Sequence, residues 1–229
     1  MNFKKILKRI SIISGFAENV SILIVILKYK MGADVLHMEE RADPEAEEWH
    51  DSPWQEVFIR RRNVAREYSR GKKALDLCCG IGWTIYAMGE VAEHVTGVDY
   101  SDDALRIARS KYSLENIKYI LMDATSLDLE SNSFDTVVSM EAIEHFTREE
   151  GEKLVQEVQR VLVEGGIFVG STPAVEKRNP LKLYALQLQD PYHLFLYSRS
   201  ILEDLLGQYF SEVHISVQEV DGLFFICKK

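Results

Sequence analysis

Three acids lie at intervals that suit a bound nucleoside. Asp76 falls within an apolar run, 74–77, directly before the turn Cys78-Cys79-Gly80-Ile81-Gly82, Asp99 closes a second run, 95–98, and Asp123 follows a third, 117–121. A glycine-containing turn between a strand and a helix lets the backbone approach a ligand closely. Asp99 comes seventeen residues after Gly82, where an acid at a strand end can grip both hydroxyls of a ribose, and Asp123 can accept a hydrogen bond from an adenine amino group. Gly80-x-Gly82 alone is a weak signal; the strand before it and the helix after it strengthen it. The third glycine of the dinucleotide fingerprint is missing, with Ile85 in its place, so no pyrophosphate cradle is expected and a nicotinamide-dependent oxidoreductase becomes the lesser alternative. The plainer reading of Asp99 is a solvated loop acid beside a helix whose cap is Ser101 or Asp102, and Asp123 by itself would be unremarkable.

A second group follows the apolar run 136–139. Glu144 and His145 stand there, with Glu141 one turn earlier and His193 far downstream in Asp190-Pro-Tyr-His193. A histidine at the ligand-bearing end of an α/β sheet can take a proton from an acceptor hydroxyl. His145 is therefore the first candidate base and His193 the second, with Glu144 as a catalytic neighbour; the alternative is that the histidines order a loop by hydrogen bonds. Glu141, Glu144, His145 and His193 could together hold Mg²⁺ or Zn²⁺, but such residues also serve without an ion, and no metal ligands are assigned. Tyr184, Tyr192 and Tyr197 suit a moderately apolar or sugar-like acceptor, and aromatic core packing explains them equally well. Arg60, Arg61, Arg62, Arg66 and Arg70 form a basic helix face, most simply a solvated one.

These residues need a scaffold of alternating strands and helices. The pattern predicts strands at 74–77, 95–98, 117–121, 136–139 and 167–170, and helices at 56–70, 84–91, 102–111 and 148–162, which is the signature of βα units and a mostly parallel sheet. The end of the chain departs from this: a helix at 199–209, then strands 213–217 and 223–227 flanking Asp221-Gly222, a turn that joins antiparallel strands. The expected fold is α/β, a Rossmann-like seven-stranded sheet with helices on both faces and an antiparallel C-terminal hairpin.

With 229 residues and 46% hydrophobic content, the chain can fill one such domain, expected at 54–229, behind an extension at 1–53. Its 27 basic and 36 acidic residues leave a net charge of −9, so no nucleic-acid partner is expected. Three cysteines, two of them adjacent, make neither a disulfide framework nor a zinc motif, and a cytoplasmic setting fits best. Near the N-terminus, Phe3, Ile6, Leu7, Ile10, Ile13, Ala17, Val20, Ile24 and Leu27 recur at helical spacing after a basic start. This predicts helix packed on the domain or a partner, with peripheral contact to a membrane surface as the sharper alternative. A secretion signal and a membrane span both fit poorly, since the continuous apolar run at 22–27 is far short of the roughly 20 residues a bilayer needs.

From residue 54 onward the chain resembles the class I S-adenosylmethionine (SAM) dependent methyltransferases, particularly small-molecule enzymes acting on quinone precursors and glycans. Leu75-Asp-Leu-Cys-Cys-Gly-Ile-Gly82, Gly97-Val-Asp-Tyr-Ser101 and Ser133-Phe-Asp-Thr-Val-Val-Ser-Met-Glu-Ala-Ile-Glu-His145 carry the resemblance. It implies that Asp76, Gly80 and Gly82 line the methionine and ribose part of the cofactor. Asp99 would hold the ribose, Asp123 and Ala124 would flank adenine, and Cys78, Trp83, Tyr100 and Met140 would join the cofactor-binding set. Cys78 departs from the glycine usual in this turn. One of the arginines at 60–70 would reach the cofactor carboxylate, Trp54 would cover the site, and an insertion near 174–197 would bind a small-molecule acceptor. Glu141-x-x-Glu144-His145 is also similar to the metal site of some O-methyltransferases, including a terminal-nucleotide RNA class. A protein that binds SAM without catalysis is the alternative reading. The acceptor atom and the oligomeric state are not legible.

Overall fold

The computed structural model describes residues 53–174, 192–218 and 222–229. The expectations for the N-terminal extension, for Tyr184 and most of the 174–197 insertion, and for the turn at Asp221 lie outside the described residues, as does the side chain of Trp54.

Helix α1 (Pro53–Tyr68) precedes strand β1 (Lys73–Leu77), α2 (Trp83–Gly89), β2 (His94–Asp99), α3 (Asp102–Lys111), β3 (Ile117–Leu121) and β4 (Phe134–Met140). A single 3₁₀ turn, Ile143–His145, leads into α4 (Arg148–Val161), β5 (Leu162–Pro173), α5 (Arg199–Leu206), β6 (Glu212–Gln218) and β7 (Gly222–Lys228). The seven strands order as β3-β2-β1-β4-β5-β7-β6. β3 to β5 run parallel, while β7 pairs antiparallel with both β5 and β6. Strand order therefore reverses between β1 and β4, and ligands of open α/β sheets bind at the carboxyl ends of strands beside such a point.

Alternation along the strands divides the core between the two faces of the sheet. Leu75 and Leu77 of β1 and Val137 of β4 pack with Leu154, Val155 and Val158 of α4 and Leu202 and Leu206 of α5. Ala74 and Val138 turn to the other face and pack with Ala65 of α1 and Ile85 and Met88 of α2. Each large side chain fully buried this way contributes about 1.5–3 kcal/mol. The helix starts follow local chemistry. Ser101 Oγ accepts from the Ala104 N–H at 3.3 Å, Asp102 and Asp103 lie in the first turn of α3, and Arg109 and Lys111 in its last, all favourable to the helix dipole. A capping box between Thr147 and Glu150 opens α4.

Most element ends shift from the sequence reading, those of β5, α4 and α5 among them. β5 runs for 12 residues instead of the four at 167–170, because Leu162 already pairs with Phe134 of β4 and β7 pairs with residues 167–173; the local Gly165-Gly166 reads as a break, and tertiary pairing overrides it. For the same reason α4 ends at Val161. α5 stops at Leu206, with Gly207, Gln208 and Tyr209 forming a turn. No helix among the described residues is long and apolar enough to cross a membrane.

Candidate active site

The carboxyl ends of β1, β2 and β3 gather the first group of acids. After Leu77 the chain turns through Cys78 at φ 62°, Gly80 at 54° and Gly82 at 93°. This left-handed region strains a side chain such as that of Cys78 by about 1–2 kcal/mol. Gly80 faces open space, whereas a Cβ on Gly82 would lie 2.9 Å from both the Ala108 Cβ and the Tyr119 hydroxyl. Gly82 thus serves the packing of α3 against the loop, and only Gly80 leaves room for a ligand. The Gly80 N–H donates to Asp99 Oδ2 and the Ser101 N–H to Asp99 Oδ1, both at 2.9 Å. The loop after β1 is thereby pinned to the end of β2, with the Asp99 carboxylate held in one orientation.

Asp76 lies beside this pair, 2% exposed. Its Oδ2 has no hydrogen-bond partner among the described residues. Burial first, and then the negative charge of Asp99, raise its carboxyl from the usual 3.8 to about 8. Burial also pushes the Cys78 thiol well above its ordinary range, reinforced by Asp99, Asp76, Glu144 and Asp123; Cys78 is no thiolate nucleophile. Asp123 Oδ1 accepts from both the N–H and the hydroxyl of Thr125 at 2.8 Å, and Ala124 is buried behind it. The Tyr100 ring is 66% exposed at the same end. Trp83 opens α2, its ring edge-on to Phe58 and 5.0 Å beneath the Arg62 guanidinium. Met140 packs on the core beneath α1 and α2.

The second group occupies the ends of β4 and β5. Glu141 adopts φ 50°, its N–H donates to the Ser171 carbonyl at 2.9 Å, and its Oε1 accepts from Ser171 Oγ at 2.7 Å. Arg61 of α1 meets the same oxygen at 3.0 Å. Glu144 is sealed from solvent, with Oε2 accepting from Thr172 Oγ1 at 2.8 Å and Oε1 unpartnered among the described residues. Burial, then the Glu141 charge, hold its carboxyl well above the usual range, against the lowering influence of Thr172 and Arg61. The Glu144 carbonyl accepts from the N–H groups of Leu194 and Phe195 at 2.8 and 3.1 Å. His145 Nδ1 lies 3.2 Å from the Tyr192 carbonyl. A carbonyl only accepts, so Nδ1 carries the proton and Nε2 presents a lone pair. The His193 ring stands 5.1 Å from that of His145.

Comparison with known proteins accords with this geometry. Residues 74–166 match the family model described as a methyltransferase domain. Over 118 residues the chain is 43% identical to the demethylmenaquinone methyltransferase of Staphylococcus aureus, an alignment covering 48% of this chain and 47% of that protein. By the first of these matches the chain carries a methyltransferase domain at residues 74–166. It spans about half the length of the curated methyltransferases it matches. The fold is shared with the PH0226 protein of Pyrococcus horikoshii at a TM-score of 0.64, with 23% identity over 82% of this chain and 93% of that one. It is shared also with phosphoethanolamine N-methyltransferase 2 of Haemonchus contortus, solved with SAM, at 0.63, with 20% identity over 75% of this chain and 52% of that one.

Within this methyltransferase fold, Cys78 lies near enough to both groups of candidates for Asp99, Asp76, Glu144 and Asp123 all to disfavour its thiolate. The arginines of α1 find partners inside the protein: Arg61 on Glu141, Arg62 on Trp83 and Arg66 on Glu90 at 3.4 Å. Sequence reasoning missed Arg61, Ser171 and Thr172 as supports of the site. The one signal for the latter two is a pair of hydroxyls closing an otherwise apolar, glycine-rich strand. Glu144, His145 and His193 offer ligand atoms within 4.8 Å of one another, and Glu141 is not in that cluster. Burial disfavours the carboxylate form of Glu144 that a divalent cation would need as a ligand.

Proposed function

We propose that this chain transfers a methyl group from SAM to an oxygen or nitrogen atom of a small molecule, a quinone precursor or a saccharide. The observation that carries the reading is the pair Asp76 and Asp99. One carboxylate is oriented by the Gly80 and Ser101 N–H groups, and the other is buried beside it with an oxygen that nothing among the described residues satisfies. Such a pair fits a ligand bearing ribose hydroxyls and positive charge, because the hydroxyls donate to fixed carboxylate oxygens and the cation relieves the repulsion between two acids. SAM supplies both, together with a methyl group on a sulfonium whose departure leaves a neutral thioether, S-adenosylhomocysteine. Asp76 and Asp99 would hold the ribose and methionine parts, and Asp123 and Ala124 the adenine.

Little covalent help is then needed from the protein, since aligning the acceptor with the methyl group supplies most of the rate. His145 removes the acceptor proton at Nε2, its tautomer set by the Tyr192 carbonyl. Exposed Tyr192 and Leu194 present apolar surface at the same place, which favours a partly apolar acceptor over nucleic acid. The name of the Staphylococcus aureus relative supports demethylmenaquinone as the first quinone to try; because that molecule takes its methyl on a ring carbon, its methylation would move the accepting atom from oxygen or nitrogen to carbon. Peripheral membrane contact through 1–30 belongs to the same proposal, on the sequence pattern alone, and co-sedimentation with anionic vesicles tests it. The decisive experiment for the activity is calorimetric titration with SAM of the wild type and Asp99→Ala, followed by transfer of labelled methyl to a panel including demethylmenaquinone and saccharides. Unchanged SAM affinity in the variant refutes the assigned site. SAM binding without any methylated acceptor refutes the enzyme and leaves a SAM-binding protein.

A further inference from the structure

Among the described residues only three without glycine's freedom adopt a left-handed backbone, and Cys78, Asn132 and Glu141 are those three. Glu141 stands where β4 gives way to the turn that carries Glu144 and His145. A strained residue persists only where its surroundings over-determine it, and Glu141 is held from three sides. Its N–H donates to the Ser171 carbonyl, its carboxylate accepts from the Ser171 hydroxyl, and Arg61 of α1 pairs with the same oxygen. The pair is largely withdrawn from solvent, with 14% and 27% of the Arg61 and Glu141 side chains exposed, so water screens it little.

The direction in which the chain leaves Glu141 sets where Glu144 and His145 point. Glu144 reaches Thr172 on β5 and its carbonyl receives the N–H groups of Leu194 and Phe195, while His145 Nδ1 meets the Tyr192 carbonyl. Four separate stretches of chain, α1, the 141–145 turn, the end of β5 and the 192–195 segment, thus share one polar network.

We infer that Glu141 and Arg61 are positioning residues for methyl transfer: the ion pair holds Glu141 in its left-handed conformation, and that conformation aims His145 at the acceptor. This rests on the proposed function, since it gives these residues a role in that reaction. It differs from a stability role in one respect. Glycine adopts the left-handed conformation freely, so Glu141→Gly relieves the strain while freeing the turn to take other conformations. A structural role makes stability and turnover fall together; a positioning role separates them.

The test uses the full chain with Glu141→Gly, Glu141→Gln, Arg61→Met and the double variant Arg61→Met/Glu141→Gln. Glu141→Gly is expected to keep its Tm within about 3 °C of the wild type and SAM Kd within about threefold, while kcat falls at least about tenfold. Glu141→Gln, which keeps the Ser171 hydrogen bond, is expected to lose less. The double variant is expected to be no worse than Arg61→Met, because one interaction is removed once. Amide hydrogen exchange gives a readout independent of activity: the Leu194 and Phe195 N–H groups are expected to exchange faster in Glu141→Gly and Arg61→Met. Wild-type exchange in both variants, or wild-type kcat in Glu141→Gly, overturns the inference. Failure of the wild type to methylate any acceptor refutes the proposed function instead, and the exchange comparison still decides whether Glu141 orders the turn.

Discussion

The ends of β1–β3 and the ends of β4–β5 both collect acids at the same edge of the sheet, but they hold them differently. Asp99 and Asp123 are fixed largely by N–H groups of nearby loops, those of Gly80, Ser101 and Thr125. Glu141 and Glu144 are fixed by side chains from other elements, Arg61, Ser171 and Thr172. Backbone donors tolerate many substitutions around them and present a rigid surface to a ligand, as suits a cofactor common to many enzymes. Side-chain partners can be exchanged one at a time, as suits a region that adapts to different acceptors.

Separate losses in the two regions sharpen that contrast. The largest expected effect is at His145, where His145→Ala should lower kcat by roughly a hundred- to ten-thousand-fold, the usual contribution of a positioned base, with SAM Kd within about threefold in calorimetry. A matching loss of SAM affinity would merge the two regions and break the comparison. Next, Asp99→Ala should weaken SAM binding by roughly a hundred- to ten-thousandfold, since two hydrogen bonds to a charged group are lost at about 1.5–3 kcal/mol each, while circular dichroism shows the fold retained.

A third effect depends on pH. The Asp76 carboxyl is raised from 3.8 to about 8 in the folded chain, so its contribution favours folding most below pH 3.8 and is lost as pH rises through about 8. Asp76→Asn should therefore raise Tm at pH 8 relative to the wild type by about 5 °C or more, with the difference shrinking toward pH 4 in thermal scans. A constant difference across that range would show that Asp76 is ionised throughout. The smallest effect is expected at Cys78. Cys78→Gly should relieve the φ 62° backbone and raise stability by up to about 1 kcal/mol, part of the relief being offset by glycine's freedom in the unfolded chain. Chemical denaturation measures it.

The two regions also differ in what could be read in advance. At the ends of β1–β3 each acid lies in or just after an apolar run, and the loop residues around it are glycine, serine and threonine, so the gathering of Asp76, Gly80, Asp99 and Asp123 at one end of the sheet could be expected from the strand pattern. Even there the reason for one residue was hidden, since Gly82 answers to Ala108 and Tyr119 of α3 and β3. At the ends of β4–β5, His145 and His193 were legible as residue types, and their meeting at 5.1 Å was not. Arg61 read as part of a solvated basic face, because nothing in its neighbours records a glutamate eighty residues away.

Periodicity, turn chemistry and the spacing of the acids determine the strands, most helix starts, the α/β class and the character of a nucleoside site, because each depends on interactions within a few residues or on alternation along one element. The order β3-β2-β1-β4-β5-β7-β6 could be expected only by resemblance. What tertiary structure alone decided is the length of β5, the left-handed turn at Glu141 and the ion pair that holds it. Those arise from contacts between segments far apart in the chain, where backbone pairing and buried charge outweigh local preference.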